Sequence, residues 1–232
     1  DLNYVQLPIV NLLNSRGVAY TQRVLDRIEE KSPGKKVYVC QHILVKHLNF
    51  YNNTIYTPHC LIEDNMRVIP HYNPCIDEED YIPFDDREFQ FTFIGAFNTH
   101  PLRSQLSTLH NGTDVIIQDT GPWHFQKTGT MKEEFRLNYK ESLLNGKFAL
   151  CPPGTGVSTI RLYEAMAAGS IPIIFNSVKV PECVKHLVVR VNCIDEINKR
   201  SLLDGYMNKQ SIELHDIYWS NLSNDKLFSI LI

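Results

Sequence analysis

The sequence predicts an α/β protein with largely parallel sheets. Short runs rich in Val, Ile and Phe, such as residues 89–94 and 171–175, alternate with helical stretches. The clearest strand–loop–helix unit spans residues 147–168, where a loop of glycine and proline separates a buried strand from a helix. Repeated units of this kind imply right-handed crossovers and a doubly wound sheet.

In the first half of the chain the sequence predicts three short strands, one helix and a connector. Strands are expected at 36–40, 54–57 and 66–70, and a helix at 42–50. Pro70, Pro74 and Pro83, with the acidic residues between them, are typical of a connector. We therefore expect an N-terminal lobe at residues 1–86, short enough to be a reduced one, and a C-terminal lobe at residues 87–232. The last helix is expected to pack back on the N-terminal lobe.

The second half alternates more regularly. Strands are predicted at 89–94, 115–118, 147–150, 171–175 and 188–191. Helices are predicted to open at Pro101, where a missing amide is tolerated in the first turn, and to span 132–144 and 159–168. The remainder of the chain is expected to be mostly helical.

Composition limits the classes of partner. The chain has 232 residues, of which 43% are hydrophobic, and a net charge of -3. A protein that holds nucleic acid is usually basic, so we expect no nucleic-acid partner. No apolar run approaches the roughly 20 residues of a membrane helix. We expect a soluble chain in the cytoplasm, with an anchored form as the alternative if an anchor precedes Asp1.

The six cysteines are widely scattered, and no two stand at the CxxC spacing of a zinc site. Reduced, partly buried thiols are expected, with one or two disulfides as the alternative. No metal site is predicted.

A loop rich in glycine and proline has the composition of an anion site. Residues 151–159 read Cys-Pro-Pro-Gly-Thr-Gly-Val-Ser-Thr, and a helix follows. Gly154 and Gly156, on either side of Thr155, let the backbone approach a ligand, while Ser158 or Thr159 can cap the helix. Free amides at a helix start favour a phosphate or diphosphate. An ordinary capped turn explains this fragment equally well.

Arg161 and Glu164 stand one helical turn apart next to that loop. We interpret Arg161 as neutralising a diphosphate and Glu164 as accepting hydrogen bonds from two ribose hydroxyls. The alternative is a surface ion pair, which contributes only a few tenths of a kcal/mol. A second loop, at residues 95–100, also follows a strand and precedes a helix, which makes Gly95 a candidate binding residue.

These segments resemble a known family. Tyr139 begins Tyr-Lys-Glu-Ser-Leu-Leu-Asn-Gly-Lys-Phe-Ala-Leu-Cys-Pro-Pro-Gly, and Ser158 begins Ser-Thr-Ile-Arg-Leu-Tyr-Glu-Ala-Met-Ala-Ala-Gly-Ser-Ile-Pro-Ile-Ile. Both are similar to the exostosin domain of glycosyltransferase family 47. Phe93-Ile-Gly-Ala and Arg103 look like the family's strand end and following arginine, which implies a second diphosphate contact at Arg103.

The resemblance implies a GT-B arrangement, in which two Rossmann-like lobes face each other across a cleft. It also implies the Golgi lumen as the alternative location. It also implies an inverting glycosyltransferase that moves a sugar, such as xylose or another pentose or hexose, from UDP to a hydroxyl of a glycan. No Asp-x-Asp occurs in the sequence, so a metal-independent reaction with no added cofactor is expected. Gly156 stands where retaining GT-B enzymes often carry a glutamate.

An inverting transfer needs a general base. Gln41-His42 loosely resembles a family Asp-His segment, so His42 is the first candidate and Asp77 a further one. His47, His71 and Asp64 are also open, and Trp123 with His124 could stack on a sugar or a base. Three rival functions remain: a retaining GT-B transferase, a non-catalytic module that binds nucleotide sugars, and a phosphosugar isomerase.

Overall fold

The chain divides into two compact units, Asp1–His71 and Tyr72–Ile232. This computed structural model describes residues 3–58, 65–71, 75–121, 130–156, 158–178, 180–197 and 207–223. The division lies upstream of the boundary predicted near residue 86. Ile76 and Phe84, from the predicted connector, are buried in the core of the second unit.

The first unit is a parallel sheet with one long helix. Its strands lie in the order β1-β2-β3-β4, and every neighbouring pair is parallel. Ile9 and Leu25 of the helix pack with Tyr38 and Ile55 of the sheet. The elements are β1 (Asn3–Tyr4), α1 (Ile9–Lys31), β2 (Lys36–Val39), a 3-10 turn (Ile43–His47), β3 (Thr54–Thr57) and β4 (Met66–Val68).

Two features of the first unit differ from the prediction. Helix α1 was not predicted, and Gly17 interrupts its helical backbone with a φ of 76°. The helix predicted at residues 42–50 is only a 3-10 turn, because His42 and Leu48 on either side of it are extended. The amide of Leu48 donates to the carbonyl of Val45, which closes the turn.

The second unit is a five-stranded parallel sheet with helices between its strands. The strand order is β6-β5-β7-β8-β9, and all neighbouring strands are parallel. After β6 is added on one side of β5, the later strands are added on the other side, so the order of strand addition reverses between β5 and β7. The elements are β5 (Phe89–Gly95), α2 (Pro101–Gln105), β6 (Val115–Asp119), α3 (Thr130–Asn145), β7 (Gly146–Cys151), α4 (Ile160–Ala167), β8 (Ile171–Phe175), β9 (Val189–Val191) and α5 (Met207–Ile217).

The core of the second unit explains why its strands could be predicted. Every residue of β8 is buried, as expected for a parallel strand covered on both faces. Phe148 contacts Phe84 edge-on and lies beside Phe91 of the neighbouring strand. Helix α5 packs on α4 and β8 of the same unit.

Arg87 fixes the turn that joins α4 to β8. Its buried guanidinium donates to the carbonyls of Ile82, Gly146 and Ala168. Gly169 follows in the left-handed region with a φ of 67°. A Cβ there would lie 2.5 Å from Tyr81 Cε2 and 3.1 Å from Arg87 Nη2. The turn therefore requires glycine for both its backbone conformation and its packing.

Gly169→Ala is expected to lower the free energy of unfolding by about 2–4 kcal/mol, because the left-handed backbone and the overlap with Tyr81 both oppose alanine. Gly121 is a matched control, since its φ is 65° and no described residue lies within 4 Å of an added Cβ. Gly121→Ala should lose only about 1 kcal/mol. Urea unfolding of both variants provides the measurement, and equal losses would contradict the packing argument.

Across the described ranges, no helix combines the length and the apolar character that a membrane span requires. Cys40, Cys75, Cys151, Cys183 and Cys193 form no disulfide with one another. Cys60 lies outside the described residues.

Candidate functional site

The two predicted loops meet at the point where the strand order reverses. Strand β5 ends at Gly95 and β7 ends at Cys151, and these strands are hydrogen-bonded neighbours in the sheet. Their carboxyl ends carry the loops that lead to α2 and α4. In open α/β sheets this crevice is where ligands bind. Arg103 lies on α2, while Arg161 and Glu164 lie on α4.

Arg161 is a buried cation clamped between two aromatic rings. Only 6% of its surface is exposed. The guanidinium carbon lies 4.1 Å from the ring centre of Phe93 and 5.1 Å from that of Tyr139. Nη2 donates to the carbonyl of Ile94 at 2.5 Å. Within the described part of the chain, Nε has no hydrogen-bond partner.

Gly95 permits this position of Arg161. A Cβ at Gly95 would lie 2.7 Å from Arg161 Nη2, so any larger residue would displace the guanidinium. The requirement for glycine is thus one of space.

Arg103 ties the two loops together. Its Nε donates to the carbonyl of Pro153 at 2.9 Å, and its Nη1 donates to that of Ala96 at 3.2 Å. Its Nη2 lies 2.9 Å from the position of a Cβ at Gly154, which places the guanidinium against the glycine loop.

The two guanidinium groups share one aromatic platform. Arg103 lies 5.6 Å from the centre of the Phe93 ring that Arg161 also contacts. Burial, and then the charge of Arg161, lower the pKa of Arg103 to about 10. Among the described residues neither arginine forms an ion pair within 4.0 Å. With Glu164 as the nearby negative charge, the two guanidinium groups make this edge of the sheet electropositive.

Glu164 is 3% exposed and accepts a hydrogen bond at Oε2 from the hydroxyl of Tyr139, at 2.5 Å. Burial raises the pKa of its carboxyl, while the bond from Tyr139 and the charge of Arg161 oppose that shift. Arg161 and Glu164 are therefore both buried, and the interpretation as a surface ion pair does not fit them.

The remaining loop residues differ in exposure. Thr155 is exposed, Gly154 and Gly156 are half-buried, and Ser158 and Thr159 are buried. Thr159 occupies the N-cap of α4, but its side chain makes no capping hydrogen bond. An uncapped helix start leaves amides available to a ligand. Val157 lies outside the described residues.

His42 lies in the first unit, where its ring is engaged on both sides. Nδ1 accepts a hydrogen bond from the amide of Leu44 at 3.0 Å, and Nε2 lies 3.0 Å from Oδ1 of Asn14. Since Nδ1 must accept, the neutral ring carries its proton on Nε2 and donates it to Asn14. Because Nε2 carries the proton, the basic lone pair is on Nδ1, so a role as general base would require the amide of Leu44 to release Nδ1.

We predict that His42 is neutral, with its proton on Nε2, at pH 7. Burial lowers the pKa of His42 below its ordinary value of 6.5. Protonation of His42 therefore favours the unfolded chain. The contribution of the neutral ring to the free energy of unfolding is full above the pKa of the unfolded state and is lost as the pH falls through the pKa of the folded state. Nitrogen-15 NMR across pH 5–8 measures both properties. A proton on Nδ1, or a pKa above 6.5, would contradict the assignment.

Asp77 lies in the second unit and is 79% exposed at its side chain. Its amide donates to Asp80, and its carboxylate lies 3.7 Å from Nζ of Lys140. In the described part of the chain it contacts none of the residues around Phe93. His47 is exposed at the end of its 3-10 turn. Asp64, Trp123 and His124 lie outside the described residues.

Metal ligands are not clustered in the described ranges. No three side chains of His, Cys, Asp or Glu come close enough there to hold a metal ion.

Sequence reasoning missed the part played by Tyr139 and Phe93. Both belong to quoted motifs, but spacing alone does not show that they sandwich Arg161. Tyr139 reaches Glu164 across 25 positions of sequence. Its place on α3 one turn before the buried Leu143 was the available signal that it faces inward.

Residues 30–184 match the exostosin GT47 domain. The match covers more than half of the 232 residues and includes both loops, both arginines and Glu164. The chain belongs to the exostosin GT47 family. Its sheet edge of two arginines and a glycine loop is thus part of the exostosin GT47 domain.

Relatives of this exostosin GT47 chain match over shorter segments. Ribitol-5-phosphate xylosyltransferase 1 of Homo sapiens is 29% identical over 101 residues, which is 43% of this chain and 22% of that protein. The Mus musculus protein of the same name is 28% identical over 103 residues, with the same coverage. Exostosin-1 of Drosophila melanogaster is 27% identical over 104 residues, 40% of this chain and 14% of that protein. The matches span less than a quarter of each relative's length.

Proposed function

We propose that this chain is a metal-independent, inverting glycosyltransferase. It would move a sugar from a UDP-sugar to a hydroxyl of a glycan. Its two units would act as the two lobes of a GT-B enzyme, with the donor held by the second unit and the acceptor by the first. Because two relatives are named xylosyltransferases, UDP-xylose is the first donor to test.

The observation that carries the proposal is the pair of guanidinium groups on Phe93. Arg103 and Arg161 lie at the carboxyl edge of the sheet. Among the described residues neither has a carboxylate oxygen within 4.0 Å, and Glu164 is the negative charge that interacts with Arg161. Arg161 is buried and Arg103 half-buried, and the two cations repel each other. Glu164 offsets only one of the two charges, so a further anion between them would be favourable. A diphosphate between them would supply that anion. Its departure would place new negative charge where both groups already stand.

Two further features support a phosphate ligand. The Nε of Arg161 is a buried donor without a partner in the described residues, and a buried donor left unpaired costs about 1–3 kcal/mol. The start of α4 also has no side-chain cap from Thr159. Phosphate oxygens would accept from Nε of Arg161 and from the first amides of α4.

Glu164 would receive the ribose. Tyr139 donates to its Oε2 and so fixes the plane of the carboxylate. A carboxylate held this way can accept hydrogen bonds from vicinal hydroxyls, and the charge makes them stronger than neutral ones.

The inverting assignment needs a base that takes the acceptor proton while the anomeric carbon is attacked. In its assigned tautomer His42 would perform this through Nδ1, and only after the amide of Leu44 leaves that nitrogen. Gly156 offers no carboxylate to a retaining mechanism, which favours inversion over the retaining alternative.

The proposal is tested with a panel of UDP-sugars. Differential scanning fluorimetry identifies the donor, because a ligand that binds only the native state raises the melting temperature. Transfer to a glycan acceptor is then followed by NMR, which reports the anomeric configuration of the product. A product of inverted configuration without added metal supports the proposal. A retained configuration, or a strict requirement for a divalent cation, would overturn it.

A non-catalytic module that binds nucleotide sugars is the second candidate. The observation in its favour is that both ring nitrogens of His42 are already hydrogen-bonded. This candidate predicts binding of a UDP-sugar with neither transfer nor donor hydrolysis, and Asn14→Ala would then leave both rates at background.

A further inference from the structure

The carboxyl group of Glu164 is held by side chains from two other segments of the second unit. The hydroxyl of Tyr139, on α3, donates to Oε2. The thiol of Cys75, which precedes β5 in the chain, also hydrogen-bonds to this carboxyl group. Cys75 is half-buried and packs against the hydrophobic core of the second unit. Packing as well as the hydrogen bond therefore keeps the thiol beside Glu164.

The thiol donates this hydrogen bond and the carboxylate accepts it. Burial, and then the charge of Glu164, raise the pKa of Cys75 to about 11, so the sulfur carries its proton at neutral pH. The guanidinium of Arg136, one turn before Tyr139 on α3, hydrogen-bonds to the same sulfur. Because a guanidinium only donates and a carboxylate only accepts, the chain of hydrogen bonds leads from Arg136 through Cys75 to Glu164.

The number of donors to Glu164 leaves room for a ligand. An ionised carboxyl group has about four acceptor positions. Among the described residues, Tyr139 and Cys75 are the side chains that donate to it, so about two positions remain. Two vicinal hydroxyls of a ribose require that number. Since the two donors come from different segments, together they fix the orientation of the carboxylate.

A role of Cys75 as a nucleophile does not fit these contacts. The thiolate is the reactive form of cysteine, and the raised pKa of Cys75 disfavours it. The protonated thiol is suited to donate a hydrogen bond instead. Both hydrogen bonds to Glu164 lower the pKa of its carboxyl, so they stabilise the ionised form that accepts from hydroxyls.

We propose that Cys75 is a positioning residue for the nucleoside, because its thiol holds Glu164 in the orientation that accepts the two ribose hydroxyls. The inference rests on the proposed function, in which Glu164 receives the ribose. It assigns part of the preference for a ribonucleotide over a deoxyribonucleotide to this thiol. Loss of the thiol therefore impairs recognition of the nucleoside and leaves the diphosphate contacts of Arg103 and Arg161 unchanged.

The test is isothermal titration of the whole chain with UDP, 2′-deoxy-UDP and pyrophosphate. Cys75→Ala should weaken UDP binding by about 3- to 10-fold, the contribution of one hydrogen bond. Binding of 2′-deoxy-UDP should weaken less, and pyrophosphate binding should not change. Cys75→Ser restores a donor and should recover most of the affinity for UDP. Cys193→Ala, at an exposed cysteine of the second unit, is the matched control and should bind all three ligands like the wild type.

A measurement without ligand separates this inference from the proposed function. Carbon-13 NMR of the Glu164 carboxyl gives its pKa, and Cys75→Ala should raise that pKa, because a donor to the ionised form is lost. An unchanged pKa would overturn the role of Cys75 alone. A wild-type protein that binds neither UDP nor pyrophosphate would overturn the proposed function, and the nucleoside role of Cys75 with it.

Three binding results would also overturn the role of Cys75. These are full UDP affinity in Cys75→Ala, equal losses of UDP and pyrophosphate in that variant, and a Cys75→Ser protein that binds UDP no better than Cys75→Ala. Thermal melting shows which variants are folded. If Cys75→Ala does not unfold cooperatively, Cys75→Val takes its place in both measurements, because valine keeps the apolar volume without a donor.

Discussion

Replacing Arg161 with methionine is expected to weaken UDP binding by about 30-fold or more, because truncating one partner of a buried, hydrogen-bonded charge pair costs about 2–5 kcal/mol. Methionine retains much of the apolar volume between Phe93 and Tyr139 but removes the charge and the unpaired Nε. Because the lost group faces the diphosphate in our proposal, affinity for inorganic pyrophosphate should fall as well.

Isothermal titration with UDP and with pyrophosphate measures this effect. Arg161→Lys keeps the charge but lacks the planar guanidinium group. Its affinity for each ligand should therefore lie between those of the wild type and Arg161→Met. Arg190→Met, at an exposed arginine of the same sheet, is the matched control and should bind both ligands like the wild type. Thermal melting shows which variants are folded. A folded Arg161→Met protein with wild-type affinity for both ligands would exclude this arginine from the anion site.

Glu164→Gln is expected to distinguish the contribution of the nucleoside to UDP binding from that of the diphosphate. A hydrogen bond to a charged group contributes about 1.5–3 kcal/mol, so loss of the carboxylate charge should weaken UDP binding by about 10- to 100-fold. Pyrophosphate has no ribose, and its affinity should stay the same or rise, since a negative charge near Arg161 is removed. Gln can still accept the hydrogen bond from Tyr139, so the packing is preserved.

Tyr139→Phe is the companion variant for Glu164. It removes the hydroxyl that orients the carboxylate but leaves the ring against Arg161. UDP binding should weaken less than in Glu164→Gln, and pyrophosphate binding should not change. Equal losses of UDP and pyrophosphate in Glu164→Gln would show that this carboxylate supports the arginines rather than the ribose.

Local sequence patterns predicted much of the second unit. Strand β8 is apolar throughout, and the glycines and prolines of the loop before α4 indicate where β7 ends and α4 begins. Which strands are neighbours in the sheet was harder to predict. That Gly95 and Cys151 end neighbouring strands depends on the order β6-β5-β7, which periodicity does not encode.

The side-chain environment of the site depended on long-range packing. One helical turn between Arg161 and Glu164 suggested a shared face, and the same spacing is found in surface ion pairs. Their burial follows from β5 and α3, which supply Phe93 and Tyr139 from distant parts of the sequence. The same limit applies to His42, because its partner Asn14 lies 28 positions away on a helix that was not predicted.

The first unit was less predictable because its signals are weak. Helix α1 contains Gly17 within its span and has no acidic residue in its first turn. Gly in a helix interior is unfavourable by about 1 kcal/mol, and acidic residues normally mark a helix start. Tertiary contacts of Ile9, Leu13 and Leu25 with the sheet therefore hold a helix that local preference does not favour.

A crystal structure of the chain with UDP bound tests the central claim most directly. The account predicts the diphosphate between the loops at residues 95–100 and 152–158, with its oxygens in hydrogen-bond range of Arg103 and Arg161 and its ribose at Glu164. A diphosphate bound at any other place, with Arg161 still closed off between Phe93 and Tyr139, would contradict it.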